Sequence, residues 1–173
     1  AIRRQRQMCI RDRVVGLDQG ESLVWYGIPY GAAPVGELRW QAPQDPAVWT
    51  EAKDCTAPSE VAYQYGSGAI GTEDCLKLDV YTTPNAHKLP VLVFIHGGNN
   101  QTGNTKEILG SELVVRDNCV FVTLDYRLGL FGFNCLPALC RGSDDTGNFT
   151  LLDIAKALDW VKDNIAQFGG DAD

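Results

Sequence analysis

The strongest constraint on the fold is a pair of short apolar runs separated by a helical pattern. Val91–Ile95 is a continuous β-branched and aromatic run, which is typical of a central strand covered on both faces. Val120–Leu124 is a second buried strand of the same kind. Between them, residues 106–117 carry a weak helical stripe formed by Ile108, Leu109, Leu113 and Val114. Strands that alternate with helices predict βαβ units and therefore an α/β fold.

Strands and irregular chain are expected before this unit. Residues 14–30 alternate short β-type runs with glycines, which predicts a small antiparallel ribbon. Residues 30–49 are too rich in proline and glycine for regular structure. Residues 76–82 alternate apolar and polar side chains, so we expect a half-buried strand.

The longest helix is predicted over residues 151–168. Thr150 followed by Asp153 indicates a capping-box start, and Gly169-Gly170 indicates the end. The apolar face of this helix is predicted from six residues at helical spacing: Leu151, Ile154, Ala155, Leu158, Val161 and Ile165.

Length and composition exclude several classes of protein. The 173 residues suffice for one domain, and the net charge of -7 disfavours nucleic acid or anionic lipid as a partner. No stretch approaches the ~18 apolar residues of a membrane span. Six cysteines without C-x-x-C spacing and only two histidines argue against a zinc site, and no cofactor is expected. The compartment stays open.

The first residues differ from the rest. Residues 1–13 hold five arginines and no apolar run, which excludes a secretory signal within them. Residues 5–13 resemble translated sequencing-adaptor sequence. We therefore expect residues 1–13 to be a non-native arm outside the fold.

The segment with the most chemical content is His96-Gly97-Gly98-Asn99-Asn100, directly after the first apolar run. Glycines let the backbone turn sharply and bring bare N–H groups against a ligand. Acyl transfer needs such donors, because its tetrahedral intermediate places negative charge on the former carbonyl oxygen. A loop of the HGGG type after a strand is the oxyanion loop of lipases and esterases, whereas the alternative is a plain tight turn.

Seven further motifs lie in the same order, and at similar spacings, as in one known family. They are Gly27-Ile-Pro-Tyr30, Pro34-Val-Gly-Glu-Leu-Arg-Trp40 with Trp49, Glu73-Asp-Cys-Leu76, Leu78-Asp-Val-Tyr81, Asp125-Tyr-Arg-Leu-Gly129, Gly147-Asn148 before Leu152-Asp153, and Phe168-Gly-Gly-Asp171. From residue 23 onward the chain resembles the type-B carboxylesterases, which include the cholinesterases. The resemblance implies an α/β-hydrolase fold and ester hydrolysis by a triad of Ser, His and Asp or Glu.

The resemblance also assigns residues to roles. It implies that the backbone N–H groups of Gly98 and Asn99 form the oxyanion hole, with Gly97 supplying the turn. The family usually has a third glycine where this chain has Asn99. Asn tolerates positive φ better than most residues, so we expect the oxyanion hole to persist. We expect the shape of the site to change on the side that holds the acyl group of the substrate. His96 is expected to support the loop rather than act as the triad base, and His87 lies in a surface turn.

No serine of the chain lies in the G-x-S-x-G motif of a nucleophile elbow. The family's nucleophile, acid and base are therefore absent from these residues. We expect residues 14–173 to be the N-terminal portion of a single type-B carboxylesterase domain that stops before the elbow. The 173-residue polypeptide by itself is predicted to be inactive and poorly soluble.

Two ion pairs and one disulfide follow from the resemblance. Arg39 is expected to pair with Glu73, and Arg127 with Asp171, in partly buried bidentate geometry. Cys75 matches a family cysteine whose usual partner would fall near Ala62. Cys55 is an alternative partner, so that disulfide stays open.

The leading function is that of a serine carboxylic ester hydrolase whose partner is a small-molecule carboxylic ester. The alternative is an esterase-like binding or adhesion protein that keeps the fold and lacks the triad. A lipase-like enzyme for long acyl chains is a third reading, on which these residues are silent. The oligomeric state stays open.

Overall fold

A mixed β-sheet dominates the computed structural model, which describes residues 2–7, 13–139 and 146–173. Nine strands occur in the described residues: β1 Ile2–Gln7, β2 Arg13–Asp18, β3 Leu23–Pro29, β4 Lys53–Asp54, β5 Gln64–Tyr65, β6 Ala69–Ile70, β7 Lys77–Thr82, β8 Val91–Ile95 and β9 Val120–Leu124. The strand order of the main sheet is β1-β2-β3-β7-β9-β8, with β4 beside β2. Strands β5 and β6 form a separate hairpin.

Helices connect and cover the sheet. The α-helices are α1 Gly110–Asp117, α2 Gly129–Gly132 and α3 Phe149–Asn164, and short 3-10 helices span Gly36–Leu38, Thr105–Glu107 and Ile165–Phe168. Strand β8 is parallel to β9, and α1 lies in the crossover between them. The predicted βαβ unit and the α/β class are confirmed.

The two helices α1 and α3 cover opposite faces of the sheet. Val114 of α1 packs with Tyr81 and Phe121, whereas Ala157 and Ile165 belong to a second cluster on the other face. All five residues of β9 are buried because both faces are covered. Strand β7 is buried from residue 78 to residue 82, so the prediction of a half-buried strand is wrong. Of its polar positions, Tyr81 packs with Val114 of α1, and Asp79 accepts a hydrogen bond from Gly27 N–H.

Strand β8 was expected to be central and covered on both faces, but the structure differs. Among the described strands it has one neighbour, β9. Leu92 is 48% exposed and Ile95 is 41% exposed. An apolar run alone cannot show which strand will have two neighbours, because pairing is decided by residues distant in sequence.

The apolar face predicted for α3 is only partly correct: Val161 and Ile165 are buried and Ile154 packs against the core, whereas Ala155 is exposed. Leu151 and Leu158 point outward, whereas Asp153 is fully buried. The inner face centres on Asp153 because an arginine from another element neutralises it. Thr150 lies inside the helix and donates to Arg127 O at 2.5 Å. Asn148 occupies the N-cap position, so the predicted capping box does not form.

The expectation that residues 1–13 lie outside the fold needs correction. Strand β1 pairs antiparallel with β2 over six residues, from Ile2 opposite Asp18 to Gln7 opposite Arg13. The predicted ribbon over residues 14–30 is present as β2 and β3, which pair antiparallel. Within the described ranges, no helix combines the length and apolarity needed to cross a bilayer.

Candidate active site

The glycine-rich loop leaves the carboxyl end of β8 and is exposed from Gly97 to Asn100. Gly98 has φ +100°, and Asn99 and Asn100 have φ +58° and +57°, so three successive residues are in the left-handed half of backbone space. A Cβ at position 98 would lie 2.0 Å from Thr102 O, which restricts this position to glycine. Asparagine is among the few other residues that adopt such a backbone readily.

The loop uses its carbonyl groups for internal hydrogen bonds. Gly98 O accepts from the N–H groups of Gln101 at 3.0 Å and Thr102 at 3.1 Å, and Asn100 O accepts from Gly129 N–H at 2.7 Å. Within the described residues, nothing accepts a hydrogen bond from the N–H of Gly98 or Asn99. Two adjacent exposed N–H groups are thus available to a ligand, which is the requirement for an anion-binding turn.

An apolar groove of about 610 Å³ adjoins this loop. Asn99 and Asn100 line it together with Tyr63, Leu130 and Phe131. The Phe131 ring packs edge-on against Tyr63, with 5.3 Å between centroids, and stacks with Trp40 at 6.3 Å. A mostly apolar cleft with a few polar donors at one edge is the usual form of a small-molecule site.

His96 lies beneath the loop and not in the groove. Its side chain is buried, and it stacks on Tyr126 with 4.3 Å between ring centroids. Tyr126 donates its hydroxyl hydrogen to His96 O at 2.6 Å, and His96 Nδ1 is 2.9 Å from Gly97 O. A Cβ on Gly103 would lie 2.2 Å from Nδ1, so both ends of the loop pack on this ring.

One buried carboxyl group, that of Asp125, lies 3.7 Å from His96 Nε2, and a second, that of Asp79, interacts with Asp125. Asp125 Oδ1 accepts from Thr105 N–H at 3.1 Å, and Asp79 Oδ1 accepts from Gly27 N–H at 2.8 Å. Burial raises the pKa of Asp79 to about 6. Burial, together with the charge of Asp79, raises the pKa of Asp125 to about 7. No arginine or lysine forms a close pair with either carboxyl group within the part of the chain that the structure describes.

Arg39 and Glu73 are brought together, as the resemblance implies. Arg39 Nε donates to Glu73 Oε2 at 2.5 Å, and Nη2 donates to Oε1 at 2.6 Å. The side chains remain 37% and 21% exposed. The Arg39 guanidinium carbon also lies 5.7 Å from the Phe131 ring centroid, so this pair supports one wall of the groove.

Arg127 is paired with Asp153, and the predicted pair with Asp171 is wrong. Arg127 Nε and Nη2 donate to Asp153 at 2.8 and 2.6 Å, and the backbone N–H of Arg127 also donates to this carboxylate, at 3.1 Å. The remaining Nη1 donates to Gln41 O. Asp171 follows the 3-10 helix Ile165–Phe168, where its carboxylate accepts from Asp173 N–H.

The cysteine and metal expectations can be compared with the structure. Cys55 and Cys75 are both buried free thiols, so the open disulfide between them does not form here. Burial raises the pKa of Cys55 to about 12, which makes it a poor nucleophile. Within the described residues, no group of His, Cys, Asp and Glu side chains could hold a metal ion.

The mixed sheet, its crossover and the glycine-rich loop define an α/β-hydrolase fold. The chain belongs to the carboxylesterase family, whose model matches residues 10–173. It is 41% identical over 172 residues to the para-nitrobenzyl esterase of Bacillus subtilis, covering 93% of this chain and 35% of that protein. It is 39% identical over 171 residues to Esterase B1 of Culex pipiens, covering 92% and 30%.

Solved structures support the same assignment. A thermophilic PNB esterase superposes with a TM-score of 0.85 at 37% identity, over 95% of this chain and 36% of that chain. A carboxylesterase of Geobacillus stearothermophilus gives the same TM-score and identity, over 92% and 34%. The chain therefore spans roughly a third of the length of the curated relatives that it matches.

Proposed function

We propose that the polypeptide containing this chain is a serine-type carboxylic ester hydrolase, in which the N–H groups of Gly98 and Asn99 bind the oxyanion. Family membership supports the reaction class. The observation that carries the finer assignment is the pair of exposed N–H groups beside an apolar groove. Other residues of the same polypeptide would supply the nucleophile, acid and base.

The loop would act on the charge that develops during acyl transfer. When a serine oxygen attacks the ester, the carbonyl π electrons move onto oxygen and create an alkoxide. Fixed N–H donors stabilise this charge without reorganising, and each contributes about 3 kcal/mol in the transition state. Gly98 and Asn99 are held in this arrangement by the bonds to Gly98 O and Asn100 O.

Asn99 gives the proposed hole a particular shape. Its backbone is left-handed, with φ +58°, and its side chain lies at the groove edge where a smaller residue would leave space. The substrate class that fits is a small uncharged carboxylic ester, with its apolar part against Tyr63 and Phe131. Aromatic rings at the groove favour apolar over charged substituents.

The test compares two substitutions at Asn99 in the intact polypeptide. Asn99→Gly keeps the backbone N–H and removes the steric cost of positive φ at this position, so p-nitrophenyl ester turnover should persist. Asn99→Val retains an N–H but disfavours positive φ, so kcat should fall about 100-fold through a displaced donor. Asn118 is a matched control, because it is also an asparagine with positive φ, at +50°. It follows α1 and precedes β9, so it lies at the end of β9 away from the loop. Asn118→Val should lower stability and leave kcat unchanged.

The outcome also distinguishes the alternative function. A wild-type polypeptide that binds apolar esters but hydrolyses none would be a binding protein with a hydrolase fold. Equal turnover by wild type and Asn99→Val would leave ester hydrolysis standing and reject the role of this loop.

A further inference from the structure

The proton on His96 Nδ1 is fixed by its surroundings. Nδ1 lies 2.9 Å from Gly97 O and 3.3 Å from the Tyr126 hydroxyl oxygen. That hydroxyl already donates its hydrogen to His96 O at 2.6 Å, so it presents only lone pairs to the ring. Two acceptors around one nitrogen require that nitrogen to be the donor. His96 therefore carries its hydrogen on Nδ1 whenever the ring is neutral.

The other ring nitrogen then presents a lone pair to a buried acid. His96 Nε2 is buried and has no hydrogen-bond partner in the described part of the chain. Asp125 Oδ1 lies 3.7 Å away, and both side chains are almost completely excluded from solvent. An ionised carboxylate also offers only lone pairs, so the two atoms repel each other unless a proton lies between them. A buried acceptor without a donor is unfavourable because it has lost its hydrogen bond to water.

We propose that Asp125 is a positioning residue for the oxyanion loop: the proton of its carboxyl group faces the lone pair of His96 Nε2 across 3.7 Å, removes the repulsion between these two buried acceptors, and so orients the His96 ring and, through it, the loop. The catalytic part of this inference rests on the proposed function. The proton assignment itself does not, because it follows from the contacts of the ring.

The ring is connected to the loop at two points. Its Nδ1–H donates to the carbonyl of Gly97, the residue directly before the proposed donor Gly98. The same edge of the ring packs against Gly103, where a Cβ would lie 2.2 Å from Nδ1. Gly103 is further fixed by Gln64, which accepts from its N–H at 3.0 Å and donates to its carbonyl at 2.9 Å. A tilt of the ring would therefore move residues 97 and 98 while Gly103 stays in place.

The groups around this proton set the pH at which it is lost. Those that face Asp125 or His96 from the neighbouring elements are Asp79 on β7, Lys106 and Glu107 on the 3-10 helix, Tyr126 after β9, Tyr30 after β3, and Cys75 before β7. Burial lowers the pKa of His96 and raises that of Asp125 to about 7, so the proton lies on the carboxyl side. It is lost as pH rises through neutrality, which predicts an alkaline decrease in activity.

Histidine NMR tests the proton assignment without any measurement of activity. The intact polypeptide is labelled with 15N at histidine, and the His96 signals are identified by their loss in His96→Gln. We expect Nδ1 to stay protonated from pH 5 to pH 9, and Nε2 to change its shift as Asp125 titrates. In Asp125→Asn the amide supplies a permanent donor, so the Nε2 shift should become independent of pH. A hydrogen found on Nε2 at neutral pH would overturn the proposal.

Steady-state kinetics on p-nitrophenyl acetate tests the positioning role. Wild-type kcat should fall about fivefold above the pKa of Asp125, with little change in KM, because the hole acts on the transition state. Asp125→Asn should abolish the alkaline decrease and keep the high rate. Asp125→Leu, which offers no donor, should show the low rate at every pH.

Asp79→Asn is the matched control. Asp79 is an equally buried acid that raises the pKa of Asp125 but makes no hydrogen bond to His96 within the described residues. Removing its charge should shift the alkaline decrease to lower pH without changing its size. An alkaline decrease that persists in Asp125→Asn would contradict the positioning role. If Asp125→Asn showed that decrease but also a pH-independent Nε2 shift, only the positioning role would be rejected. The proton assignment and the proposed function would both still stand.

Discussion

The structure contains two bidentate arginine–carboxylate pairs, Arg39–Glu73 and Arg127–Asp153, and their surroundings differ. Arg39–Glu73 is partly open to solvent, with side chains 37% and 21% exposed. Arg127–Asp153 is closed, with side chains 2% and 0% exposed. The hydrogen-bond lengths are nearly the same, so burial is the variable that separates them.

The difference matters because a charge costs little where water can replace its partner and much where it cannot. Solvent screens Arg39 and Glu73, and either side chain can be rehydrated if the other is removed. Water cannot reach Arg127 or Asp153 to replace a lost partner. Arg127 also donates to Gln41 O, and the Asp153 carboxylate also accepts from the backbone N–H of Arg127. We infer that the closed pair holds α3 against the sheet and that the open pair only orients the groove wall.

The largest effect should follow from breaking the closed pair. Arg127→Leu or Asp153→Leu leaves one buried charge without its partner, and should lower the free energy of unfolding by about 3–5 kcal/mol. Urea denaturation of the intact polypeptide measures this. The double variant removes both charges and should recover much of the loss. Asp45→Ala is the control, because it breaks an exposed pair of α3, with Lys156, and should change little. Equal losses in the control and in Asp153→Leu would refute the comparison.

A buried acid without any arginine gives the next effect. The pKa of Asp79 is raised to about 6 by burial, so the folded state holds more protons than the unfolded state between roughly pH 4 and pH 6. Stability should therefore fall as pH rises through this window. Asp79→Asn removes the dependence and should be more stable than wild type at pH 8 by on the order of 3 kcal/mol. Parallel pH profiles of the urea midpoint for the two proteins would contradict the burial argument.

The smallest effect should come from the open pair. Arg39→Ala should reduce stability by no more than about one fifth of the loss in Arg127→Leu, because solvent screens the remaining Glu73. A thermal melt at two salt concentrations measures this, since a screened pair weakens further in high salt. Arg39→Lys separates charge from the bidentate geometry. A loss as large as that of Arg127→Leu would show that exposure does not separate the pairs.

The same contrast explains which features could be predicted from sequence. Strands β8 and β9 were located because their composition is a local signal, and the Arg39 pair followed from a family motif. The burial of Asp153 on the inner face of α3 could not be predicted, because an aspartate is expected to be exposed unless a partner such as Arg127, 26 positions earlier, is known to contact it. The coverage of β8 likewise depends on distant residues.

The candidate site divides in the same way. The turn at Gly97 and Gly98 was predictable from their order after an apolar run. The support below it was not, because His96 meets Asp125 and Tyr126 only through the parallel pairing of β8 with β9. Two clues were present in the sequence: both residues directly follow the second apolar run, and the ends of adjacent parallel strands meet at one edge of a sheet.

The most direct test of the central claim is a crystal structure of the intact polypeptide bound to a trifluoromethyl ketone, whose adduct imitates the tetrahedral intermediate. The account predicts that the adduct oxygen lies about 2.7–3.1 Å from the backbone nitrogens of both Gly98 and Asn99. An adduct oxygen held elsewhere, with these N–H groups bonded within the loop, would contradict it.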